Sequence, residues 1–415
     1  MAGGKILSHL ASGDFLTRER IRLWSLAIGA ASLIALAYLG LTAHGLNDNN
    51  GRPLGSDFSN VYAAGTLVHE GCAAAPFDPA LQHAREQAIF GKTTPFYGWH
   101  YPPFFLFVAQ ALAALPYIPA LIVWQVTSFA LYVFALARLI KTSPAPQLRG
   151  DPLWLLLAAA FPAVFINLVH GHNGFLTAAL FAGALSMLPS RPAVAGILFG
   201  LSVYKPQFGV LVPFALIAGG YWRAVFAAAA TVIAFALAVT AAYGMDVWTA
   251  FLASTEFTRH VVLEQGGAGW FKIQSMFSLV RMYGGPIELA YAAQGIIALV
   301  VVAAVVRAWS RTDRFAAKGA LLCIGSFLAT PYSLDYDMMI LAPAILLLAA
   351  DHRSGNSAPW RATAIALIWL VPFFARALGA IGLPVGAIAI LAVFVLVARQ
   401  ERAGESASGP APTFA

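Results

Sequence analysis

The polar side chains that could take part in chemistry lie in five short segments of an otherwise apolar chain. Residues 55–62 read Gly-Ser-Asp-Phe-Ser-Asn-Val-Tyr and include Asp57 and Tyr62. The other four segments contribute imidazole, amide, cationic and acidic groups: His170, His172, Asn173, Lys205, Arg259, His260, Lys272, Asp335 and Asp337. Such groups can act as bases, acids or anion ligands when they meet in a cleft. We expect them to form one substrate-binding site.

Each segment also has a purely structural interpretation. Asp57 could cap a loop helix. Lys205 stands among apolar residues, which costs several kcal/mol unless the lysine is paired or wetted, although its head could instead reach the membrane interface. The turn at residues 170–174 could satisfy helix ends, and the aspartates of residues 331–337 could cap the next helix. No carboxylate or cysteine lies at a recognisable ligand spacing from the histidines, so we expect no metal site.

Composition determines the class of protein that presents these groups. The chain has 415 residues, of which 60% are hydrophobic and 10% charged, and its mean hydropathy is +0.75. Charged residues make up about a quarter of a soluble domain, so the composition excludes an ordinary soluble enzyme and a disordered chain. The net charge of +7 indicates cytoplasmic loops beside anionic lipid rather than a nucleic-acid partner. The sequence therefore predicts an all-α polytopic membrane protein.

Apolar segments recur along nearly the whole chain. A bilayer crossing needs about 20 apolar helical residues, and the first such run, 21–43, lacks a signal-peptide cleavage site. Further crossings are predicted near 118–140, 153–169, 174–188, 193–204, 206–219, 221–243, 286–308, 319–330, 336–350, 360–375 and 379–399. Several are too short to cross alone, so they must be broken, tilted or covered by neighbours.

The distribution of basic residues indicates the orientation. If residues 102–116 form an interfacial helix rather than a crossing, about two thirds of the 25 Lys and Arg fall in cytoplasmic segments. This choice predicts about twelve spans, both termini in the cytoplasm, and outer loops at about 44–117 and 244–285. We expect one membrane domain, 1–400, in the cell inner (plasma) membrane, followed by a disordered cytoplasmic tail, 401–415. The five polar segments then lie on the periplasmic side.

Four motifs resemble those of glycosyltransferase family 87, whose members are polyprenyl-phosphate-dependent membrane enzymes. In chain order they read SDFSNVYAAGTLVHEG, YPPFF, GHNGFLTAAL and GLSVYKPQFGVLVP, and the resemblance extends from about residue 20 to 350. It implies the GT-C fold, with many spanning helices and two large outer loops that carry interfacial helices. It also implies that the carboxylate of the first outer loop, Asp57, is catalytic. The turn at His172-Asn173 usually reads Gly-Gln-x-Asn in the family, so His172 departs from the pattern.

The resemblance implies inverting transfer of a hexose, such as mannose, from polyprenyl phosphate to a lipid or glycan acceptor. Asp57 would be the base for the acceptor hydroxyl, and the transition state would be oxocarbenium-like. Cations should face the departing phosphate. The candidates are Lys205, Arg259, His260 and Lys272, with Lys205 expected to be best placed because Pro206 breaks its helix. A divalent metal is not obligatory, and the donor is a co-substrate rather than a cofactor.

Other functions remain open at this point. A transporter or flippase of a lipid-linked or small anionic solute could bind substrate through Lys205 and the histidines, but the large outer loops favour an enzyme. A structural assembly factor predicts no effect of changes at Asp57 or Lys205. The Asp-x-Asp at residues 335–337 lies at a membrane turn, and the chain lacks a glycine fingerprint for nucleotides. A nucleotide-sugar donor is therefore not expected.

Overall fold

The protein is a bundle of α-helices. The structure, a computed structural model, describes residues 2–143, 145–353 and 358–408. Those residues contain no β-strand, and only three isolated bridges occur among them. The α-helices of the first half are α1 (Ala2–Ser12), α2 (Arg18–Leu41), α3 (Ser56–His69), α4 (Pro79–Phe90), α5 (Leu106–Ala113), α6 (Tyr117–Thr142), α7 (Pro146–Arg149), α8 (Leu153–Ala159), α9 (Pro162–His170), α10 (Gly174–Met187), α11 (Pro192–Leu201), α12 (Pro206–Gly209) and α13 (Leu211–Ala218).

The second half of the chain continues the bundle. Its α-helices are α14 (Trp222–Tyr243), α15 (Asp246–Phe257), α16 (Met276–Met282), α17 (Ile287–Arg311), α18 (Phe315–Leu328), α19 (Leu341–Arg353), α20 (Arg361–Ala380) and α21 (Val385–Ser408). Short 3₁₀ turns occur at Ala75–Phe77, Pro103–Phe105, Ser202–Tyr204, Trp270–Lys272 and Asp335–Ile340, and a π-helical turn at Thr258–Glu264. These irregular turns supply many of the predicted site residues.

Five helices in the described part of the chain are long and apolar enough to cross a membrane: α2, α6, α14, α17 and α20. The pair α8–α9 passes the same test as one span bent by 43°. The bend coincides with Pro162, which cannot donate the hydrogen bond that would continue the helix. These spans confirm the all-α polytopic prediction, whereas the count of twelve stays a prediction. The shorter helices α10 and α18 are buried along most of their length, which agrees with the physical requirement that short crossings be covered by neighbours.

The predicted first outer loop is a packed helical unit rather than an open chain. Its helix α3 lies directly on α5, since a Cβ at Gly65 would meet the carbonyl oxygen of Ala109 at 2.1 Å. Tyr117, at the start of α6, donates a hydrogen bond to the Leu54 carbonyl at 2.5 Å. The buried Glu86 of α4 accepts hydrogen bonds from the backbone of the following loop. The loop therefore fixes the N-terminal end of α3 against the bundle.

Contacts between distant segments show which helix ends lie together. Arg18 pairs with Asp151 at 2.5 Å, at one end of the bundle. Arg361 begins α20 at that same end, because the backbone N–H of Trp360 bonds to Ala11. Arg376 lies about four turns further along α20, roughly 22 Å away. The two ends of α20 therefore reach two different ends of the bundle.

The end that carries Arg361 also receives the C-terminal helix. There Glu401 is buried, 3% exposed, and pairs with Arg314 at 3.0 Å. The predicted disordered tail is therefore wrong for its first residues, because α21 continues to Ser408. These ion pairs and the apolar face before them hold the helix in place. Residues 409–415 of the predicted tail lie outside the described residues.

A cavity of about 1240 Å³ lies between α2, α8, α19 and α20. Its lining is mainly apolar and runs along α20 from Ala362 past Ala366 to Phe373 and Phe374. Phe374 is two residues before Arg376. The cavity therefore extends along α20 from one end to within one turn of Arg376, where the side chains of Phe373 and Phe374 are about half exposed.

Candidate active site

Asp57 lies in the first turn of α3, where the helix dipole favours a negative charge. Gly55 precedes the helix in the left-handed conformation, with φ of 66°. The Asp57 side chain is 22% exposed, and its Oδ1 lies 3.5 Å from Ser56 Oγ and 3.9 Å from His170 Nδ1. Desolvation raises the pKa of Asp57 to about 6, against the opposing charges of Lys272, Arg376 and Lys205. The carboxyl group is thus poised to exchange a proton near neutral pH.

The turn after α9 brings His170 to Asp57. The helix ends at His170, and Gly171 adopts the left-handed conformation with φ of 63°. A Cβ at Gly171 would meet Phe58 Cβ at 2.6 Å, so the glycine allows the turn to approach α3. Trp124 of α6 donates its indole N–H to the Gly171 carbonyl at 3.0 Å. Three helices therefore fix the spacing between His170 and Asp57.

Arg376, near the C-terminal end of α20, joins this centre and was not predicted. Its Nη1 lies 3.0 Å from His170 Nε2, and its Nε lies 3.1 Å from Asp335 Oδ2. Asp335 is fully buried, and the Arg376 side chain is 34% exposed. An arginine inside an apolar span is costly unless it has a partner or serves a function. That cost was the available signal for Arg376, but the predicted span near 360–375 ends one residue before it, so the arginine fell between two predicted spans.

Lys205 and Asp337 form a second, more buried pair. Lys205 Nζ lies 2.5 Å from Asp337 Oδ1, and the two side chains are 6% and 1% exposed. The other oxygen of Asp337 accepts the backbone N–H of Leu334 at 3.1 Å. The ring of Tyr336 lies 5.4 Å from Nζ, within cation–π range. Lys205 therefore does not reach the interface, and Asp337 already neutralises the charge that was expected to face a phosphate.

His172 and Asn173, in the turn after α9, are buried beside Tyr336. The imidazole of His172 stacks on Tyr336, with ring centroids 3.5 Å apart, and its Nε2 lies 3.3 Å from the Tyr101 hydroxyl. Nδ1 of His172 and the side-chain oxygen of Asn173 are buried without a hydrogen-bond partner. Buried polar atoms normally have partners. These two atoms are therefore available to a bound ligand.

Lys272 acts on Asp57 through its charge. Among the charges that oppose the rise in the pKa of Asp57, that of Lys272 has the largest effect. Burial and the neighbouring Arg376 lower the pKa of Lys272 itself. Lys272 and Asp57 therefore each affect the pKa of the other.

Three predicted residues serve other contacts. Tyr62 donates its hydroxyl to the Leu115 carbonyl at 2.9 Å, which holds α3 to the start of α6. Arg259 and His260 pair with Glu264 at 3.1 and 3.2 Å, and Tyr291 donates to the same carboxylate. Arg259 and His260 are about half exposed. They belong to a local cluster in the predicted second outer loop, and Asp57 is not among the partners that the structure gives them.

Metal-ligating groups are scattered in the described part of the chain. It contains no set of three or more His, Cys, Asp or Glu side chains arranged to hold a metal ion. Its two cysteines, Cys72 and Cys323, are free.

The sequence profile of glycosyltransferase family 87 matches residues 99–331, more than half of the chain. The chain belongs to glycosyltransferase family 87. This finding confirms the resemblance, makes the protein a membrane glycosyltransferase, and does not favour the transporter alternative. The match includes the His170 turn, Lys205 and Lys272, and it leaves Asp57 and Arg376 on either side. The comparisons with curated proteins and with solved structures found no match.

Proposed function

We propose that this family 87 glycosyltransferase transfers a hexose, such as mannose, from polyprenyl phosphate to a hydroxyl of a lipid or glycan acceptor, with inversion. In this proposal it acts on the periplasmic face of the inner membrane, with both termini in the cytoplasm. The fold is a single GT-C domain of about twelve spans. One observation supports the proposal most: Asp57, a partly exposed carboxyl group, shares one end of the bundle with Lys272 and Arg376. A base and the counter-charges for an anionic leaving group are thus close together.

In the proposed reaction, ionised Asp57 accepts the proton of the acceptor hydroxyl as its oxygen attacks the anomeric carbon. The bond between that carbon and the phosphate oxygen breaks, and the electron pair leaves with polyprenyl phosphate. Attack from the face opposite the phosphate inverts the configuration. Asp57 ends the step protonated and returns its proton to solvent through its exposed side. A base with a pKa of about 6 is ionised at neutral pH and still basic enough to take part.

Negative charge develops on the phosphate as it departs, and cations placed there lower the barrier. Lys272 and Arg376 suit this role because the positive charge of each lowers the pKa of Asp57. Both also have side chains that reach the open part of the site. Lys205 suits it less, since it is paired with Asp337 and only 6% exposed, whereas Arg376, although paired with Asp335, is 34% exposed. We assign Lys205 instead to holding Tyr336 and the His172 ring that stacks on it.

The sugar would lie between the Arg376–Asp335 pair and the Lys205–Asp337 pair. His172 Nδ1 and the Asn173 side-chain oxygen are buried and unpaired, and such atoms select a hydroxyl-bearing ligand because an apolar one would leave them unsatisfied. The flat face of Tyr336 is partly covered by His172. These groups would orient the hexose with its anomeric carbon towards Asp57.

The donor's hydrocarbon tail needs an apolar path that begins beside the phosphate. The cavity along α20 offers such a path, since its lining ends at Phe374, within one turn of Arg376. Its apolar walls match a polyprenyl chain, whose burial is favourable in proportion to apolar area. The cavity therefore supports a lipid-linked donor.

Product formation tests the proposal directly. Purified protein in vesicles receives polyprenyl-phosphate mannose labelled in the sugar, together with a membrane lipid and glycan extract as acceptor. We expect labelled product with inverted anomeric configuration, measured by NMR. Movement of intact donor across the bilayer without product would contradict the proposal and would support a transporter instead.

A further inference from the structure

We propose that Arg376 and His170 are positioning residues that determine which oxygen of Asp57 receives the acceptor's proton. The inference rests on the proposed role of Asp57 as the base. It is carried by a chain of contacts that links Arg376, His170, Ser56 and Asp57, which we call the relay. Arg376 lies outside the residues that match the family profile.

The direction of the first hydrogen bond follows from the chemistry of arginine. A guanidinium group has only N–H donors and stays protonated in proteins. Arg376 Nη1 lies 3.0 Å from His170 Nε2, so Nε2 must be the acceptor. A neutral imidazole that accepts at Nε2 carries its proton at Nδ1. Asp335 holds the guanidinium from its other side through Nε. Arg376 therefore stays oriented as a donor to Nε2, and His170 keeps its proton at Nδ1.

The same reasoning gives the direction of the next two contacts. His170 Nδ1 lies 2.8 Å from Ser56 Oγ, so the Nδ1–H donates to the serine oxygen. Because that oxygen now accepts, the serine hydroxyl proton is free to point elsewhere. Asp57 Oδ1 lies 3.5 Å from Ser56 Oγ, and such contacts in ligand-free active sites are often long and tighten with substrate. The serine therefore donates to Oδ1.

The chain of donors ends on one oxygen of the carboxylate. Oδ1 is stabilised as an anion by the relay, whereas no hydrogen bond in the structure engages Oδ2, among the described residues. A carboxylate held by one oxygen presents the other in a fixed direction. The geometry assigns proton abstraction to Oδ2, with the relay holding the orientation that catalysis requires.

Groups outside the relay also contribute to the electrostatic environment of Asp57 and His170. Charged and titratable groups from several elements surround Asp57 and His170, and they are the same in each variant below: Arg52, Tyr97, Tyr101, His172, Lys205, Lys272, Asp335, Tyr336 and Asp337. Comparison of variants at one position therefore isolates the relay.

Two substitutions of His170 separate positioning from simple packing. In His170→Asn the amide nitrogen takes the place of Nδ1 and can still donate to Ser56. In His170→Gln the amide takes the place of Nε2, which preserves the contact with Arg376 and loses the donor to Ser56. We expect His170→Asn to keep kcat within about 10-fold of the wild type and His170→Gln to lose about 100-fold. A role in packing alone predicts the reverse order.

The pH profile supplies a second readout. A hydrogen bond to the charged form of Asp57 lowers its pKa, so loss of the relay should move the acid limb of kcat/KM to higher pH in His170→Gln. The control His83→Gln, which keeps the Nε2-type contact to the Thr94 carbonyl, should change neither kcat nor the limb. Equal loss in both His170 variants with an unmoved acid limb would overturn the inference.

Ser56→Ala covers the case in which the His170 variants fail to fold. It removes one hydroxyl from the first turn of α3 and leaves the helix contacts of His170 intact. We expect about a 10-fold loss of kcat, the increment that 1.36 kcal/mol represents, and an acid limb at higher pH. A wild-type rate and an unmoved limb would contradict the relay. If Asp57→Asn itself kept full activity, the proposed function would fail instead, which distinguishes the two ideas.

Discussion

Two sets of buried charges lie at opposite ends of α20, and they differ in how completely they are paired. At one end Arg361 and Arg314 each meet both Asp351 and Glu401, at distances of 2.8 to 3.6 Å. Arg361 is fully buried. At the other end, the only ion-pair partner within 4.0 Å that the described residues give Asp57 is His170. We call Arg314, Asp351, Arg361 and Glu401 the inner network. We call Asp57, His170, Lys272 and Arg376 the Asp57 centre.

The difference separates structure from chemistry. Charges that satisfy one another inside a protein hold elements in register, and removal of one partner leaves an uncompensated buried charge. A carboxylate that is only partly paired keeps its capacity to bind and to exchange a proton. We therefore expect changes in the inner network to affect folding, and changes in the Asp57 centre to affect transfer.

The largest expected effect is at the Asp57 centre. Asp57→Asn keeps the shape of the side chain and removes its basicity, so kcat should fall by about 10²- to 10⁴-fold. The thermal midpoint in detergent should stay near that of the wild type. The measurement is turnover of labelled lipid-linked donor, with Asp246→Asn in the first turn of α15 as a matched control. A large fall in thermal midpoint would contradict the distinction between the two sets.

The inner network should respond in the opposite way. Arg361→Leu removes a fully buried guanidinium that Asp351 and Glu401 share, and removal of one member of a buried ion-pair network costs about 3–5 kcal/mol. Thermal unfolding should therefore occur at clearly lower temperature, while the molecules that remain folded keep their kcat. Normal stability together with lost turnover would show that the inner network belongs to the catalytic machinery.

A smaller effect tests the assignment of the cations within the Asp57 centre. Lys272→Met removes a charge that faces Asp57, and we expect about a 10- to 100-fold fall in kcat because one charge-stabilising contact to the leaving group is lost. The acid limb of the pH profile should move up, since Lys272 lowers the pKa of Asp57. The control is Arg259→Met, whose side chain is about half exposed beside Glu264 and where we expect little change. A larger loss for Arg259→Met would restore the ranking that the sequence suggested.

The smallest effect concerns the cavity along α20. Ala366→Trp would place an indole in its wall, and we expect KM to rise several-fold for a long polyprenyl donor and little for a short one. The energetic basis is about 0.8 kcal/mol for each buried methylene that is displaced. Ala366→Ser, which leaves the space open, is the control. An equal effect on long and short donors would exclude the cavity as the path of the tail.

Local sequence features predicted the helices and most residues of the Asp57 centre. Apolar runs of about 20 residues located α2, α6, α14, α17 and α20, because such runs have few alternatives in a bilayer. The scarcity of charge drew attention to Asp57 and Lys205, and the turn at residue 170 was recognised. The disordered tail was wrong because Glu401 finds its partners in distant helices.

What the sequence did not reveal depends on long-range contacts. Lys205 meets Asp337 across 132 residues, and no local pattern pairs them. Arg376 meets His170 across 206 residues, so its cost inside an apolar span was the only signal. By contrast, the pairing of His260 with Glu264 has the i, i+4 spacing of a helical turn. That spacing could have removed His260 from the expected site.

The central claim is that ionised Asp57 takes the proton of the acceptor, and the pH dependence of kcat/KM tests it most directly. Burial sets the pKa of Asp57 at about 6, so kcat/KM of the wild type should fall tenfold per pH unit below about pH 6 and level off above it. The residual activity of Asp57→Asn should be independent of pH over the same range. If Asp57→Asn retained the acid limb, another group would be the base, and the account would be contradicted.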